Sequence, residues 1–121
     1  MIAIGTTVVR ALEHAADDDG TVRPGERTAT QRIGSLTALR VVDAIVSGIH
    51  EPGTSHYELL RAFQDDHTLL RMDGEAEARG YRTHEFGDSA LILNSVCNAR
   101  LGIVSLQPTM EARSSVVMKT A

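Results

Sequence analysis

The sequence predicts an α/β fold, and three observations carry that prediction. Residues 1–4 form a short apolar run that ends at Gly5-Thr6-Thr7, and behind it Val8, Val9, Leu12, Ala15 and Ala16 fall on one helical stripe. Pro52 and Gly53 break the chain just ahead of a second helical stretch. Aromatic residues make up 3% of the 121 residues and tryptophan is absent, so the core must be assembled from Val, Ile, Leu and Ala, which suits strands and helices packed together.

In chain order, the first unit reads as strand, tight turn and helix. Thr6 or Thr7 can cap that helix, while Arg10 and Glu13 fall off the apolar stripe at a spacing that lets them pair. Residues 17–30 are polar, with Asp17-Asp18-Asp19, Gly20 and Pro24-Gly25 marking an exposed loop and Thr21-Val22-Arg23 a brief strand. Residues 36–49 support two readings: Leu39, Val42, Val46 and Ile49 fit a helical stripe, whereas Val41-Val42 and Ile45-Val46 suit a buried strand. Asp43 interrupts the run, so its carboxylate must face solvent, meet a cation or serve a site.

A helix is expected over residues 55–64, where Ser55 and Glu58 have the spacing of a capping box ahead of Leu59, Leu60 and Phe63. Another is expected over residues 66–79, weakened by Asp73-Gly74 and stopped by Gly80. Residues 81–86 then alternate like a strand, Gly87-Asp88-Ser89 makes a turn, and residues 90–93 return as a short apolar strand. Residues 94–121 have no clear period and suggest no function.

The totals narrow the classes. Length allows at most one ordinary domain. A net charge of −4 argues against a broad electropositive surface for gripping nucleic acid, while leaving room for a few aimed arginines. A lone Cys97 makes neither an internal disulfide nor a thiolate zinc site, and a cytoplasmic setting is expected. The acidic run at residues 17–19 lacks the ligand spacing of a calcium loop, so no metal site is expected. No stretch approaches the roughly 20 apolar residues of a membrane span. Met1 leads directly into a strand, as expected if upstream sequence were missing.

Two stretches carry chemistry. Residues 49–58 bring His50, Thr54 and Ser55 to a turn and a helix start, where free backbone N–H groups suit a polar or anionic ligand. Gly5-Thr6-Thr7, at the carboxyl end of a strand, is the kind of turn that cradles a small ligand in α/β proteins. A capped surface helix explains residues 49–58 as simply, and a capped crossover helix is the simpler local reading of Gly5-Thr6-Thr7.

Taken together, an ordered set of runs resembles one family: the S-adenosylmethionine:tRNA ribosyltransferase-isomerases of queuosine biosynthesis. The runs are Ala3 through Glu13, then Arg40-Val41-Val42-Asp43, then His50, Pro52 and Thr54-Ser55, then Ala62-Phe63, and finally Tyr81-Arg82 with Gly87-Asp88. The resemblance is to the carboxyl-terminal part of that family. It implies that residues 1–93 are a partial α/β domain with a mixed sheet, that residues 94–121 are an unmatched tail, and that residues 39–43 and 45–49 are strand pieces.

The implied reaction moves the ribosyl portion of S-adenosylmethionine, a substrate rather than a cofactor, onto an aminomethyl-deazaguanine in tRNA to form epoxyqueuosine, with adenine and methionine leaving. Such chemistry needs a base for a proton acidified by the sulfonium, and donors for the leaving groups. On the matched positions the resemblance implies His50, Asp43 and Asp88 as catalytic candidates and Thr6, Thr7, Arg10, Thr54 and Ser55 as substrate-binding ones. The implied partners are S-adenosylmethionine and tRNA, with the missing amino-terminal domains or self-association covering exposed apolar faces.

The chain also departs from the family. Gly48-Ile49-His50-Glu51-Pro52 stands where the family has Asn-Phe-His-Leu-Pro, and Arg32-Ile33-Gly34 replaces a Leu-Phe-Ile strand. These departures point to a divergent member whose base or tRNA substrate differs. The competing expectation is a non-catalytic module that binds an adenosyl ligand or another protein.

Overall fold

The structure, a computed structural model, describes residues 1–83, 87–96 and the strand Val116–Lys119. Four strands form one sheet in sequence order: β1 (Ile2–Ile4), β2 (Ala44–Gly48), β3 (Ser89–Leu93) and β4 (Val116–Lys119). β1 and β2 are parallel with Ala3 beside Ile45, whereas β2–β3 and β3–β4 are antiparallel, so the sheet is mixed as expected. Among the described residues three helices accompany it: α1 (Thr6–Ala15), α2 (Ser55–Leu60) and α3 (Asp66–Ala78).

The core lies on one side of the sheet. Ala3, Ile45, Ala90 and Ile92 share a face by strand alternation and pack with Val9 of α1, Leu59 and Leu60 of α2, and Leu69, Met72 and Ala76 of α3. Phe63, fully buried between α2 and α3, and Tyr57 of α2 supply the rings of this group.

Parallel β1 and β2 need a crossover, and α1 provides it. Gly5 donates its N–H to Val46 O at 2.9 Å, so it still belongs to the sheet ladder while serving as the residue before the helix. It does so at φ 88°, a backbone state that glycine alone adopts freely. The helix therefore starts at Thr6, and no side chain caps it, contrary to the expectation that Thr6 or Thr7 would do so.

Glu13 is the larger correction. Instead of pairing with Arg10, it points inward at 2% exposure and accepts three backbone N–H bonds, from Arg40 at 2.8 Å, Val41 at 3.0 Å and Val42 at 2.9 Å. Arg40 reciprocates by donating to Ala16 O at 3.1 Å and pairing with Asp18 at 3.2 Å. The segment at residues 39–43 is consequently held by a side chain and not by a strand ladder. The expected strand piece there is absent, and the one expected at 45–49 runs instead from Ala44 to Gly48.

The turn at Pro52-Gly53 forms with Gly53 at φ 89°, but the cap of α2 is Thr54 and not Ser55. Thr54 Oγ1 accepts from Tyr57 N at 3.1 Å and donates to Glu51 O at 2.9 Å. α2 closes earlier than expected, because residues 61–64 tighten into a turn with Phe63 N bonded to Leu60 O, and Asp65 then caps α3. α3 runs through Gly74 and stops at Gly80 as expected. Gly80, at φ 71°, donates to Glu77 O at 3.0 Å, and Tyr81 donates to Ala76 O at 2.9 Å, the two bonds of a Schellman ending.

Two more expectations change. Thr21-Val22-Arg23 makes one isolated bridge, Ala16 with Val22, and not a strand. Residues 81–83 are irregular, and the rest of that expected strand, residues 84–86, lies outside the described residues, as does most of the tail at 94–121. The acidic run is tied locally: Asp17 pairs with Arg23, and Asp19 accepts from Thr21 N at 2.9 Å.

Replacing Glu13 by Gln turns one accepting oxygen into a donor that faces a backbone N–H. Glu13→Gln is expected to lower unfolding free energy by about 1–3 kcal/mol in urea titrations. A value within error of the parent would remove Glu13 from this role. A second expectation concerns acid. The Thr68 backbone N–H holds the Asp65 carboxyl below its ordinary value of 3.8. This cap therefore contributes fully above about pH 4 and is lost as pH falls through the lowered value. Asp65→Ala should cost about 1 kcal/mol at pH 7, and the gap between the two proteins should narrow as the pH is taken below 3.8.

Candidate functional site

The strand directions decide which candidate residues meet. Parallel β1 and β2 end on the same edge of the sheet, and antiparallel β3 begins there, with Ser89 opposite Gly48. Gly5-Thr6-Thr7, Ile49-His50 and Asp88 therefore share that edge, which is where ligands bind in open α/β sheets. Asp43 does not join them. It precedes β2, donates its N–H to Met1 O and accepts from Asn94 N, which puts it at the opposite edge, about 17 Å away along the strand. Its half-exposed carboxylate pairs with the Met1 amino group.

At the shared edge His50 is the most tightly held candidate. Its Nε2 lies 3.0 Å from Ser47 Oγ, and its ring packs on that of His56 with centroids 4.7 Å apart. Ser47 is buried in β2 beside Ala90, whose small side chain leaves room for the contact. Sequence reasoning missed Ser47, since a serine within an apolar strand reads as an interruption; the i, i+3 spacing to His50 across a strand end was the available signal. His56, the second residue of α2, was likewise missed, since a polar residue at a helix start carries no signal of its own.

Asp88 builds the other wall. It is 5% exposed, and its Oδ2 accepts from Arg82 N at 2.7 Å while its own N–H donates to Arg82 O at 2.8 Å. Residues 82 and 88 are thus pinned in both directions. Gly87 sits against this pin so closely that a Cβ would run into the Arg82 carbonyl. The Gly87-Asp88 pair is therefore a backbone requirement as well as a candidate carboxylate.

The remaining candidates divide. Thr6 is nearly buried at the start of α1, and Thr7 beside it is exposed. Arg10, one turn further, is half-buried, and its Nε has no hydrogen-bond partner among the described residues. Thr54 has its hydroxyl committed to the α2 cap on both sides, and Ser55 is exposed at the first position of a six-residue helix. The free N–H groups expected there are thus partly occupied by the chain itself.

Two cavities lie elsewhere. One of about 310 Å³ is lined by Leu39, Arg40, Val42, Asp43, Asn94 and Val96, and another of about 350 Å³ lies between α2 and α3 near Arg61, Gln64 and Asp65. Neither is lined by Thr6, His50 or Asp88. Near the second, burial and then the charge of Asp66 push the Tyr57 phenol up from its ordinary value. Among the described residues no group of three His, Cys, Asp or Glu side chains is placed to hold a metal ion. None of their helices is long and apolar enough to cross a membrane.

Comparison with known proteins gives a consistent result. The family described as queuosine biosynthesis protein matches residues 1–92. An S-adenosylmethionine:tRNA ribosyltransferase-isomerase of Symbiobacterium thermophilum is 42% identical over 93 residues, covering 77% of this chain and 27% of that protein. The protein of the same name from Geobacter sulfurreducens is 40% identical over 92 residues, covering 76% and 27%. A crystal structure of an S-adenosylmethionine tRNA ribosyltransferase from Thermotoga maritima superposes with a TM-score of 0.65 at 33% identity, covering 76% of this chain and 32% of that one. The chain thus spans about a quarter of the length of the curated relatives it matches.

The pin at residues 82–88 gives a direct test. Gly87→Ala should destabilise by about 1–3 kcal/mol, because the new methyl meets backbone and not a side chain that can swing away. Gly74→Ala, at an exposed helical position with open space around it, should instead stabilise by roughly 0.5–1 kcal/mol. Thermal melts of the two variants should move in opposite directions.

Proposed function

The chain belongs to the queuosine biosynthesis protein family, and from that premise we propose that it contributes one wall of an S-adenosylmethionine:tRNA ribosyltransferase-isomerase site. The observation that carries this reading is the family match over residues 1–92 together with the convergence of the matched positions Thr6, His50 and Asp88 on one sheet edge. Residues 1–93 are read as the family unit and residues 94–121 as an addition to it, working in the cytoplasm where the tRNA substrate is.

In this reading S-adenosylmethionine lies across the edge. His50, oriented by Ser47, takes the proton beside the sulfonium; an imidazole is suited to that exchange near neutral pH. Thr6, Thr7 and the Nε of Arg10 donate hydrogen bonds to the ribose or the departing adenine, and Asp88 orients the entering aminomethyl group. Asp43 lies at the other edge, beside the cavity of about 310 Å³, and a direct role for it requires a substrate that reaches around the sheet. Thr54 and Ser55 shape the turn after His50.

A second reading rests on the departures that the resemblance implies around His50, where this chain carries Gly48, Ile49 and Glu51. It treats the chain as a binding module that retains the edge without the chemistry.

The deciding experiment grafts residues 1–92 in place of the matched stretch of the Symbiobacterium thermophilum relative. The graft is supplied with S-adenosylmethionine and tRNA bearing the aminomethyl base. Release of adenine and methionine, lowered about 100-fold or more by His50→Ala, is the expected result. Tight S-adenosylmethionine binding by calorimetry with no release would establish the second reading instead.

A further inference from the structure

Residues 116–119 lie outside the family match, which ends at residue 92, yet they take a defined place in the fold. β4 pairs antiparallel with β3, setting Val116 against Ile92, Val117 against Leu91, Met118 against Ala90 and Lys119 against Ser89. Among the described residues β3 has β2 on its other side, so β4 takes the edge that the matched stretch leaves open. Its direction matters more than its presence. Because β4 runs against β3, its last residue arrives where β3 begins, next to Asp88 and on the edge that holds Thr6 and His50.

Lys119 thus ends a row across the sheet, in which Gly48 of β2, Ser89 of β3 and Lys119 of β4 stand side by side. By the ordinary spacing of paired strands, its backbone lies about 5 Å from that of Ser89 and about 10 Å from that of Gly48. It is the only lysine of the chain, in a sequence whose net charge is −4. A lysine ammonium meets phosphate as a point charge on a long stem, without the planar fork that demands one geometry.

We infer that the carboxyl-terminal strand places Lys119 at the rim of the candidate site as a contact for a phosphate of a polynucleotide ligand. The choice of tRNA as that polynucleotide rests on the function proposed above. The contribution is to hold the ligand and not to the chemistry, since phosphate contacts fix position and affinity but carry no base identity. A cation delivered by an added strand offsets part of the repulsion between an acidic chain and a polyanion. The simpler alternative is that Lys119 only discourages further strands from adding to β4, the open edge of the sheet.

The test mixes the full 121-residue chain with a fluorescein-labelled tRNA transcript and follows anisotropy at several salt concentrations. Binding should weaken with salt. For Lys119→Ala the slope of log affinity against log salt should be shallower by about 0.7, while Lys119→Arg keeps the parent slope. Val117→Pro combined with Met118→Pro retains the charge but removes ladder donors from β4, and should flatten the slope as Lys119→Ala does. Arg23→Ala deletes an exposed cation tied to the far end of α1 and should change nothing. No binding by the parent, an unchanged slope for Lys119→Ala, a full slope for the proline variant or an equal loss for Arg23→Ala would each overturn the inference. Self-association of Lys119→Ala in sedimentation, with its slope unchanged, would establish the edge role instead. None of these readings requires turnover. A graft that releases no adenine beside a chain with a Lys119-dependent slope therefore rejects the proposed chemistry and keeps the contact, whereas an active graft beside a slope indifferent to Lys119 does the reverse.

Discussion

Everything on the carboxyl edge depends on how the chain returns from α1 to β2, and one carboxylate governs that return. Glu13 holds the backbone of Arg40, Val41 and Val42, and Arg40 in turn closes the carbonyl end of the helix. A buried carboxylate is costly unless its oxygens are filled, and three aimed N–H groups fill them. The alternative for those N–H groups, which have no strand partner, would be an unsatisfied backbone. Each side of this contact thus removes the other's penalty, which is why an acid survives at 2% exposure in an aliphatic core.

The consequence reaches the site through register. With residues 40–42 fixed against α1, β2 enters the sheet beside β1 with Ala44 next to Ile2, and Ser47 and His50 arrive at the height of Gly5 and Thr6. A slip of one residue would turn Ser47 outward and bring Val46 into the core. The edge is therefore set from the far end of the strand.

How far this was legible in the sequence depended on whether a feature was local. The Gly5 turn, the Gly80 stop, the break at Pro52-Gly53 and the apolar return over residues 90–93, which the structure begins one residue earlier at Ser89, are encoded within a few residues, and each was readable. Thr54 was displaced by its neighbour Ser55 because both carry a hydroxyl and the choice rests on a one-residue difference in backbone angle. Glu13 was misread because helical periodicity sorts residues by polarity, and a polar side chain satisfied from a segment 27 residues away looks the same as a solvated one. The absence of a strand at residues 39–43 follows from that same long-range contact. Of the candidate site residues, Thr6, His50 and Asp88 were placed together by strand direction, information that no single motif contains. Asp43 was separated from them for the same reason, although it stands only seven residues before His50 in sequence.

The glycine that begins α1 carries an implication about handedness. Gly5 has φ 88° and ψ 154°, and no atom lies within 4 Å of where a side chain would project. Space is therefore not what the position demands; the torsion is. This conformation mirrors the extended region open to ordinary L-residues, so it is close to natural for an amino acid of opposite chirality. A D-alanine introduced there by chemical synthesis would keep both the bond to Val46 and the immediate entry into the helix, while L-alanine would have to give up one of them. The turn beneath the site is in this sense a stereochemical lock, with its selectivity written in the backbone.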